Sequence, residues 1–169
     1  MKHLKTYEQS NITELHLSNK DLTGLPELPE GLEKLYCYDN KITELPKLPK
    51  GLIHIDCDNN YLSELPDLPK GLESLSCGNN NLSELPDLPD TLIILYCYAN
   101  NLSELPNLPE SLEYLYCENN NLNRLPELPK GLVFLDCINN NLPYIDLDSY
   151  KEWYAETYPD RVEGEKYNL

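Results

Sequence analysis

The chain has 169 residues, enough for one domain of ordinary size and too few for two. Its 29 Asp and Glu residues outnumber its 13 Lys and Arg residues, which gives a formal net charge of -16 at pH 7. Proteins that bind nucleic acid or anionic membranes neutralise phosphates with clustered basic residues, so this charge argues against both partners. No apolar run reaches the roughly 18 residues of a membrane-spanning helix, and residues 1–10 lack the apolar segment of a secretory signal.

A unit of twenty residues repeats along the chain without insertion. It reads L-x-x-L-x-C-x-x-N-x-L-x-x-L-P-x-L-P-x-G, and seven copies run from residue 11 to residue 150. A fixed period of this length predicts a solenoid in which neighbouring units stack. We therefore divide the chain into an N-terminal cap at residues 1–10, seven repeats at residues 11–150, and a C-terminal capping helix with a tail at residues 151–169.

The first repeat departs from this unit, with Leu17 at the Cys position and Lys20 at the Asn position. A terminal unit has only one neighbour, so departures there are typical of stacked repeats. In the N-terminal cap, Leu4 and Tyr7 are expected to lie over the first buried layer.

The first half of each unit predicts a short strand, since x-L-x-C-x alternates apolar and other residues as a strand with one buried face does. Units of equal length bring successive strands back in the same direction, which makes the sheet parallel. Asn follows each strand and is a turn former, and we expect these side chains to form an internal ladder that satisfies backbone groups. The ladder positions are Asn40, Asn60, Asn80, Asn100, Asn120 and Asn140.

The second half of each unit, L-P-x-L-P, predicts an extended return arm. Two Pro residues three positions apart are incompatible with a helix, and polyproline II geometry places both Leu residues on one face. The sequence therefore predicts a repeat solenoid, a curved right-handed coil with a concave parallel sheet of about seven strands and an extended convex side.

The C-terminal end predicts a capping helix. The seventh unit lacks the L-P-x-L-P arm, and Asp148-Ser149 followed by Glu152 is typical of a helix start. Three aromatic residues then share one helix face, namely Tyr150, Trp153 and Tyr154. This helix is expected to cover the edge of the seventh layer, because an open sheet edge invites aggregation.

With its strand motif in seven in-phase copies and its arm motif in the first six, the sequence resembles leucine-rich repeat proteins. The twenty-residue unit with an L-P-x-L-P arm is similar to the short repeats of bacterial type III effectors, including ubiquitin-ligase effectors, and its Cys resembles repeats of giant-virus and environmental bacterial proteins. The resemblance implies a non-enzymatic scaffold that binds a partner on its concave sheet. The effector ligases carry a catalytic domain after their repeats, and only about 19 residues follow Tyr150 here, so we expect no ligase activity in this chain.

Six Cys residues occupy one repeated strand position, where the alternation makes each a buried small hydrophobe. They are Cys37, Cys57, Cys77, Cys97, Cys117 and Cys137. Disulfides, a metal site and a reactive thiol are the alternatives, but parallel Cβ vectors and a straight row of thiols suit neither a disulfide nor tetrahedral zinc. We expect a reduced ladder with no metal or cofactor, and hence a cytoplasmic location, either in the producing cell or in a host cytosol.

Positions flanking the buried strand residues project onto the concave face, and there the sequence varies between repeats. Aromatic and aliphatic residues are concentrated in the last three strands, with two more Tyr residues near the start. We predict that nine of them bind a partner: Tyr36, Tyr38, Ile94, Tyr96, Tyr98, Tyr114, Tyr116, Phe134 and Ile138. Large exposed apolar patches mark interaction sites and Tyr is enriched at their centres, although sheet stabilisation and self-association are alternative explanations.

A polar saddle separates the two Tyr groups. It combines Asp56 and Asp58 with His54, and faces Ser74, Ser76 and Gly78 on the next strand. Carboxylates beside His suggest a metal or acid-base site, but two carboxylates about 7 Å apart lack the converging ligands that a metal needs. Glu residues recur at one turn position, where a solvated acidic ridge is the first interpretation and a basic partner surface the alternative: Glu44, Glu64, Glu84 and Glu104. The favoured hypothesis is a scaffold that binds a protein partner through its Tyr-rich concave face. A self-associating module, or the recognition part of an effector-type ligase, is the alternative.

Overall fold

The computed structural model describes residues 12–159. These residues form one parallel sheet of seven three-residue strands in chain order, followed by one helix. The strands are β1 (Glu14–His16), β2 (Lys34–Tyr36), β3 (His54–Asp56), β4 (Ser74–Ser76), β5 (Ile94–Tyr96), β6 (Tyr114–Tyr116) and β7 (Phe134–Asp136), and the helix is α1 (Leu147–Thr157). The predicted seven-stranded parallel solenoid with a C-terminal helix is confirmed. The expectations for residues 1–10, for Asn11 and for the tail after residue 159 lie outside the described residues.

The strands pair in a register that advances by one whole repeat at each step. Leu15 lies opposite Leu35, and Leu35 lies opposite Ile55. Equivalent positions of all repeats therefore stand side by side, in rows that cross the strands. The same residue type repeated at one position becomes a continuous stripe on the surface or in the core.

The core lies beneath the sheet and consists of four stripes of apolar side chains. In the second repeat these are Leu32, Leu35, Cys37 and Ile42, each with an exposed fraction of 0%. The Leu residues of the return arms, which form neither helix nor strand, pack against this core and are buried or half-buried. Because each repeat buries its stripe only against its neighbours, stability depends on an uninterrupted stack.

The Asn side chains hold the turns after the strands to one another. Asn60 Nδ2 donates to the carbonyls of Cys37 at 3.0 Å and Cys57 at 3.1 Å, and Asn60 Oδ1 accepts from the Ile42 backbone at 3.0 Å. The same two-repeat pattern recurs from Asn40 to Asn140. In the first repeat Lys20 replaces the Asn, and its Nζ donates to the His16 carbonyl at 2.7 Å.

The residue preceding each ladder position adopts a left-handed backbone, a feature that the sequence alone did not suggest to us. These residues are Asn19, Asp39, Asn59, Asn79, Ala99, Asn119 and Asn139, with φ between 49° and 57°. Asn and Asp tolerate this conformation better than other residues with a Cβ, which explains their recurrence. None of the described Gly residues has a positive φ, so the Gly at the end of the repeat is not required for left-handed geometry.

Helix α1 begins before the predicted start. Its N-cap is Asp146, whose carboxylate accepts from the Ser149 backbone at 2.8 Å, while the Asp146 backbone donates to Ser149 Oγ at 3.1 Å. The predicted helix start at Asp148-Ser149 therefore lies two residues after the observed N-cap, and the helix begins before residue 151, where the C-terminal segment was divided from the repeats. Asp146 and Asp148 both resemble an N-cap in sequence, and only the reciprocal bonds with Ser149 identify the first.

The segment before α1 closes the last repeat. The Cys137 backbone donates to the Ile145 carbonyl at 2.9 Å, and Asp136 forms an antiparallel bridge with Asp146. Tyr144 is only 5% exposed, and its ring lies 5.0 Å from that of Trp153 on α1. The free edge of β7 is thus covered by the chain that follows it. Within the described part of the chain, no helix is both long and apolar enough to cross a bilayer.

Candidate interaction surface on the concave sheet

The concave face consists of three rows, one residue from each repeat in every row. The first row contains Glu14, Lys34, His54, Ser74, Ile94, Tyr114 and Phe134. The middle row contains His16, Tyr36, Asp56, Ser76, Tyr96, Tyr116 and Asp136. The third row follows the strands and contains Ser18, Tyr38, Asp58, Gly78, Tyr98, Glu118 and Ile138.

The structure brings seven of the nine predicted partner-binding residues together, on β5 to β7 and on the turns that follow β5 and β7. Phe134 and Ile138 are the most exposed of them, at 40% and 42%. The others in this group are half-buried: Ile94, Tyr96, Tyr98, Tyr114 and Tyr116. Tyr36 and Tyr38 belong to the second repeat, and β3 and β4 separate them from the group.

Rings on the concave face form two stacks. In the C-terminal stack, Tyr96 and Tyr116 have centroids 4.4 Å apart with planes 19° from parallel, and Phe134 lies 4.8 Å beyond Tyr116. In the N-terminal stack, Tyr36 lies between two His rings, 4.7 Å from His16 and 4.9 Å from His54. His54 was expected in the polar saddle and His16 in no site, and neither was predicted to stack on Tyr36, although their row positions on either side of it are the signal for such a stack. Each stack therefore presents a rigid apolar wall to the space between them.

The saddle between the stacks contains a contact that spans two repeats. Tyr98 Oη donates to Asp58 Oδ2 at 2.9 Å, and the Gly78 backbone donates to Asp58 Oδ1 at 2.6 Å. The Tyr98 ring covers Gly78 so closely that a Cβ at Gly78 would clash with it. The Tyr98 hydroxyl is consequently held by a hydrogen bond within the protein.

Burial makes the saddle an unfavourable place for negative charge. Desolvation raises the pKa of Asp58 to about 6, an effect that the hydrogen bond from Tyr98 only partly offsets. Desolvation also raises the pKa of Asp56, and it lowers the pKa of His54, which favours the neutral imidazole. Elsewhere on the concave face, burial raises the pKa of Glu118, and its Oε2 has no hydrogen-bond partner among the described residues.

The concave face as a whole is acidic. Its five carboxylates are Glu14, Asp56, Asp58, Glu118 and Asp136. Lys34 is the single Lys or Arg in the three rows, and its Nζ already pairs with Glu14 at 2.7 Å. Five negative charges against one positive charge leave the face with a formal charge of -4 when both His residues are neutral.

The six Cys residues lie beneath this face rather than on it. All are buried and free, and burial raises the pKa of Cys37 and Cys137 to about 12. Cys57 Sγ donates to the Ser76 carbonyl at 3.2 Å. A thiol with so high a pKa is not a nucleophile near neutral pH. In residues 12–159, no three His, Cys, Asp or Glu side chains converge as a metal site would require.

Comparison with known proteins agrees with this geometry. A solenoid with one short parallel strand per repeat and an Asn ladder defines the class of leucine-rich repeat folds. A family model described as "Leucine Rich repeats (2 copies)" matches residues 30–70, and one described as "Leucine Rich Repeat" matches residues 111–132. The leucine-rich repeat domain of a Shigella effector is 32% identical, with a TM-score of 0.70, and the match covers 87% of this chain and 76% of that one. The chain therefore belongs to the leucine-rich repeat family.

Two Yersinia structures extend the comparison to bacterial effectors. YopM of Yersinia pestis, described as a leucine-rich effector protein, is 38% identical with a TM-score of 0.67. YopM of Yersinia enterocolitica is 35% identical with a TM-score of 0.60. Each match covers 78% of this chain but only 45% and 34% of the respective YopM chain. The predicted similarity to bacterial effector repeats is confirmed, and no curated protein matches the sequence.

Proposed function

We propose that this protein is a non-enzymatic scaffold that binds a protein partner through its concave face. The observation that carries the proposal is the apolar patch on β5 to β7, where Phe134 and Ile138 are exposed beside stacked Tyr rings. A solvated sheet face needs no such residues, whereas contiguous apolar surface is typical of interaction sites. The family supports this reading, because concave sheet surfaces of repeat solenoids are extended and suited to binding.

The acidity of the concave face indicates the chemistry of the partner. With a formal charge of -4 on the face and -16 on the whole chain, an acidic partner would be repelled. A partner with a basic surface and apolar side chains complements both properties of the face. The six free, buried thiols favour a reducing compartment, so we place this interaction in a cytosol, that of the producing cell or of a host.

A second role is compatible with the same surface. The match to the repeat domain of a Shigella effector, and the partial coverage of the YopM chains, suggest that the repeats act as the recognition part of a larger effector. In that case the concave face would select a target for an activity located elsewhere. The binding site is the same in both roles.

Peptide selection provides the test of the proposed surface. A random displayed library is selected on the wild-type protein, and affinities are measured for a variant with Tyr96, Tyr116 and Phe134 all changed to Ser. We expect the variant to lose at least about tenfold in affinity, because those side chains supply the buried area of the contact. The matched control is Tyr61→Ser, since Tyr61 is 56% exposed but lies outside the three concave rows.

Equal binding by the wild type and the triple variant would contradict the proposal. Self-association is the competing explanation of the patch, and light scattering over a range of concentrations detects it. A molar mass that rises with concentration in the wild type but not in the triple variant would show that a second copy covers the patch.

A further inference from the structure

We propose that the saddle between the two aromatic stacks binds one arginine side chain of the partner, with its guanidinium group against Asp56 and the face of Tyr96. The inference rests on the proposed function and specifies the chemistry of the partner at one point of the concave face. Its support comes from the small side chains of the middle row at the saddle, from the charge there and from the face of Tyr96 that does not stack on Tyr116.

The saddle is a recess because the middle row changes from large to small side chains across β3 and β4. Tyr36 and Tyr96 stand at its two ends, and Asp56 and Ser76 lie between them in the row. Three strand spacings separate the two Tyr positions, a distance of about 14 Å between Cα atoms. The His54 ring stacks on Tyr36 at one end, and Ser76 between Asp56 and Tyr96 is only 8% exposed, so the recess is shallow and a guanidinium group would lie over Ser76.

No Lys or Arg of residues 12–159 forms an ion pair with the carboxylates of the recess, and desolvation lowers the pKa of His54 beside Asp56, which favours its neutral form. Asp39 and Asp56 both raise the pKa of Asp58, and Asp39 also raises that of Asp56, so the three carboxylates repel one another. The Lys and Arg ion pairs of residues 12–159 lie elsewhere, joining Lys34 to Glu14, Lys41 to Asp21 and Arg124 to Glu104. A cation from outside would therefore relieve both the repulsion and the cost of desolvation.

Asp56 is the carboxylate with hydrogen-bonding capacity left. Both oxygens of Asp58 already accept hydrogen bonds, from the Gly78 backbone and from Tyr98. Asp56 Oδ1 accepts from the Asp58 backbone at 3.3 Å, and no hydrogen bond from a described residue to Asp56 Oδ2 is present. In this arrangement Asp56 accepts from the ligand directly, while Asp58 contributes its charge.

The Tyr96 ring favours arginine over lysine. One face of Tyr96 stacks on Tyr116, so its opposite face points along the row toward Ser76 and the saddle. A planar guanidinium group stacks on such a face and can donate to a carboxylate at the same time, whereas an ammonium group is a compact point charge. The combination of one ring face and one free carboxylate oxygen fits the guanidinium group.

The test uses peptides selected on the wild-type protein that also depend on Tyr96, Tyr116 and Phe134. We expect an arginine at a constant spacing from an aromatic or aliphatic residue in these peptides. Replacing that arginine by citrulline, which is neutral and nearly the same shape, should weaken binding to the wild type about tenfold, and replacing it by lysine should weaken binding several-fold. Isothermal titration calorimetry measures each affinity.

Two variants locate the contact. With Asp56→Asn, the citrulline replacement should change affinity by less than about twofold, and this variant should fold because it removes a desolvated charge. Tyr96→Leu should likewise reduce the loss of affinity that follows when citrulline replaces the arginine of the peptide. The control Asp87→Asn removes the same charge from an exposed return-arm position and should behave as the wild type.

The outcomes separate this inference from the proposed function. Patch-dependent peptides without a recurring arginine, or a citrulline effect that is equal in the wild type and in Asp56→Asn, would overturn the arginine site alone. If every selected peptide is insensitive to the triple Ser change, the proposed function fails and the arginine site fails with it.

Discussion

Ala99 adopts a left-handed backbone, with φ of 49°, at a position where the other six repeats have Asn or Asp. A residue with a Cβ is strained in this region, and Asn and Asp are the side chains that tolerate it best. The neighbouring equivalents also interact through their side chains: Asn79 donates to Asn59, and Asn139 Nδ2 donates to Asn119 Oδ1 at 2.9 Å. Ala99 interrupts this exposed series in the middle.

We expect Ala99→Asn to stabilise the protein by about 0.5–1 kcal/mol, because it relieves backbone strain and fills the gap in the series. Urea unfolding followed by circular dichroism measures the change. Ala99→Val serves as the comparison. It should destabilise the protein, because a β-branched residue is strained most by a left-handed backbone. A variant with Asn at this position that is no more stable than the wild type would contradict the prediction.

The roles of some single residues follow from the sequence, and those of others depend on contacts between distant repeats. The ladder Asn residues repeat in phase with the strands, and their role follows from that phase. The bond between Tyr98 and Asp58 joins residues 40 positions apart and depends on the missing side chain at Gly78. No pattern within one repeat encodes such a contact. Tyr98 was therefore predicted to face a partner, together with the other rings of the concave face.

Among the elements, α1 has the clearest single role, which is to cover the last repeat. Tyr150 and Trp153 pack against the core, and the ring of Tyr144 lies 4.9 Å from that of Tyr150. The strands were predictable from period-two alternation, as was the existence of the helix from its aromatic face. The hydrogen bond between Ile145 and Cys137 at the end of β7 depends on tertiary contacts. It could not be predicted from the sequence, and neither could the helix start at Leu147.

A chain ending at Asp146 should associate, because without α1 the apolar surface of Tyr144 and the last core layer becomes exposed. Size-exclusion chromatography with light scattering should show oligomers or loss of soluble protein. The control is a chain ending at Pro159, which retains α1 in full, and its molar mass and solubility are measured beside those of the 169-residue chain. If the chain ending at Asp146 has the same molar mass as this control and the same solubility, α1 is not a required cap.

On the scale of the whole molecule, the excess of carboxylates couples stability to pH. Asp58 has a pKa of about 6 in the folded protein, against a usual value of 3.8. The folded state therefore binds a proton more readily than the unfolded chain, and stability rises as the pH falls through 6 toward 4. Asp56 and Glu118 act in the same direction. His54 acts in the opposite direction, because its pKa is lowered on folding.

The difference between the wild type and Asp58→Asn isolates the contribution of Asp58. We expect the variant to have the higher melting temperature at pH 7.5, where the wild-type carboxylate is ionised and desolvated, and the difference should narrow as the pH falls to 5. Thermal unfolding followed by circular dichroism measures both proteins. Asp87→Asn, which removes one carboxylate from an exposed position, is measured beside it as the control for the loss of charge. If the difference in melting temperature between the wild type and Asp58→Asn is the same at pH 7.5 and pH 5, Asp58 does not have a raised pKa in the folded protein.

Each ladder Asn bonds to the repeat that precedes its own as well as to its own repeat, as Asn60 does with the Ile42 amide and the Cys37 carbonyl of the preceding one. On the ribosome, which releases the N-terminus first, the newest repeat therefore remains incomplete until the next twenty residues emerge. At 5–20 residues per second that delay is about 1–4 s per repeat. During synthesis the repeat made last therefore always lacks the hydrogen bonds that the next repeat supplies, until Asp146 and α1 cover the seventh repeat.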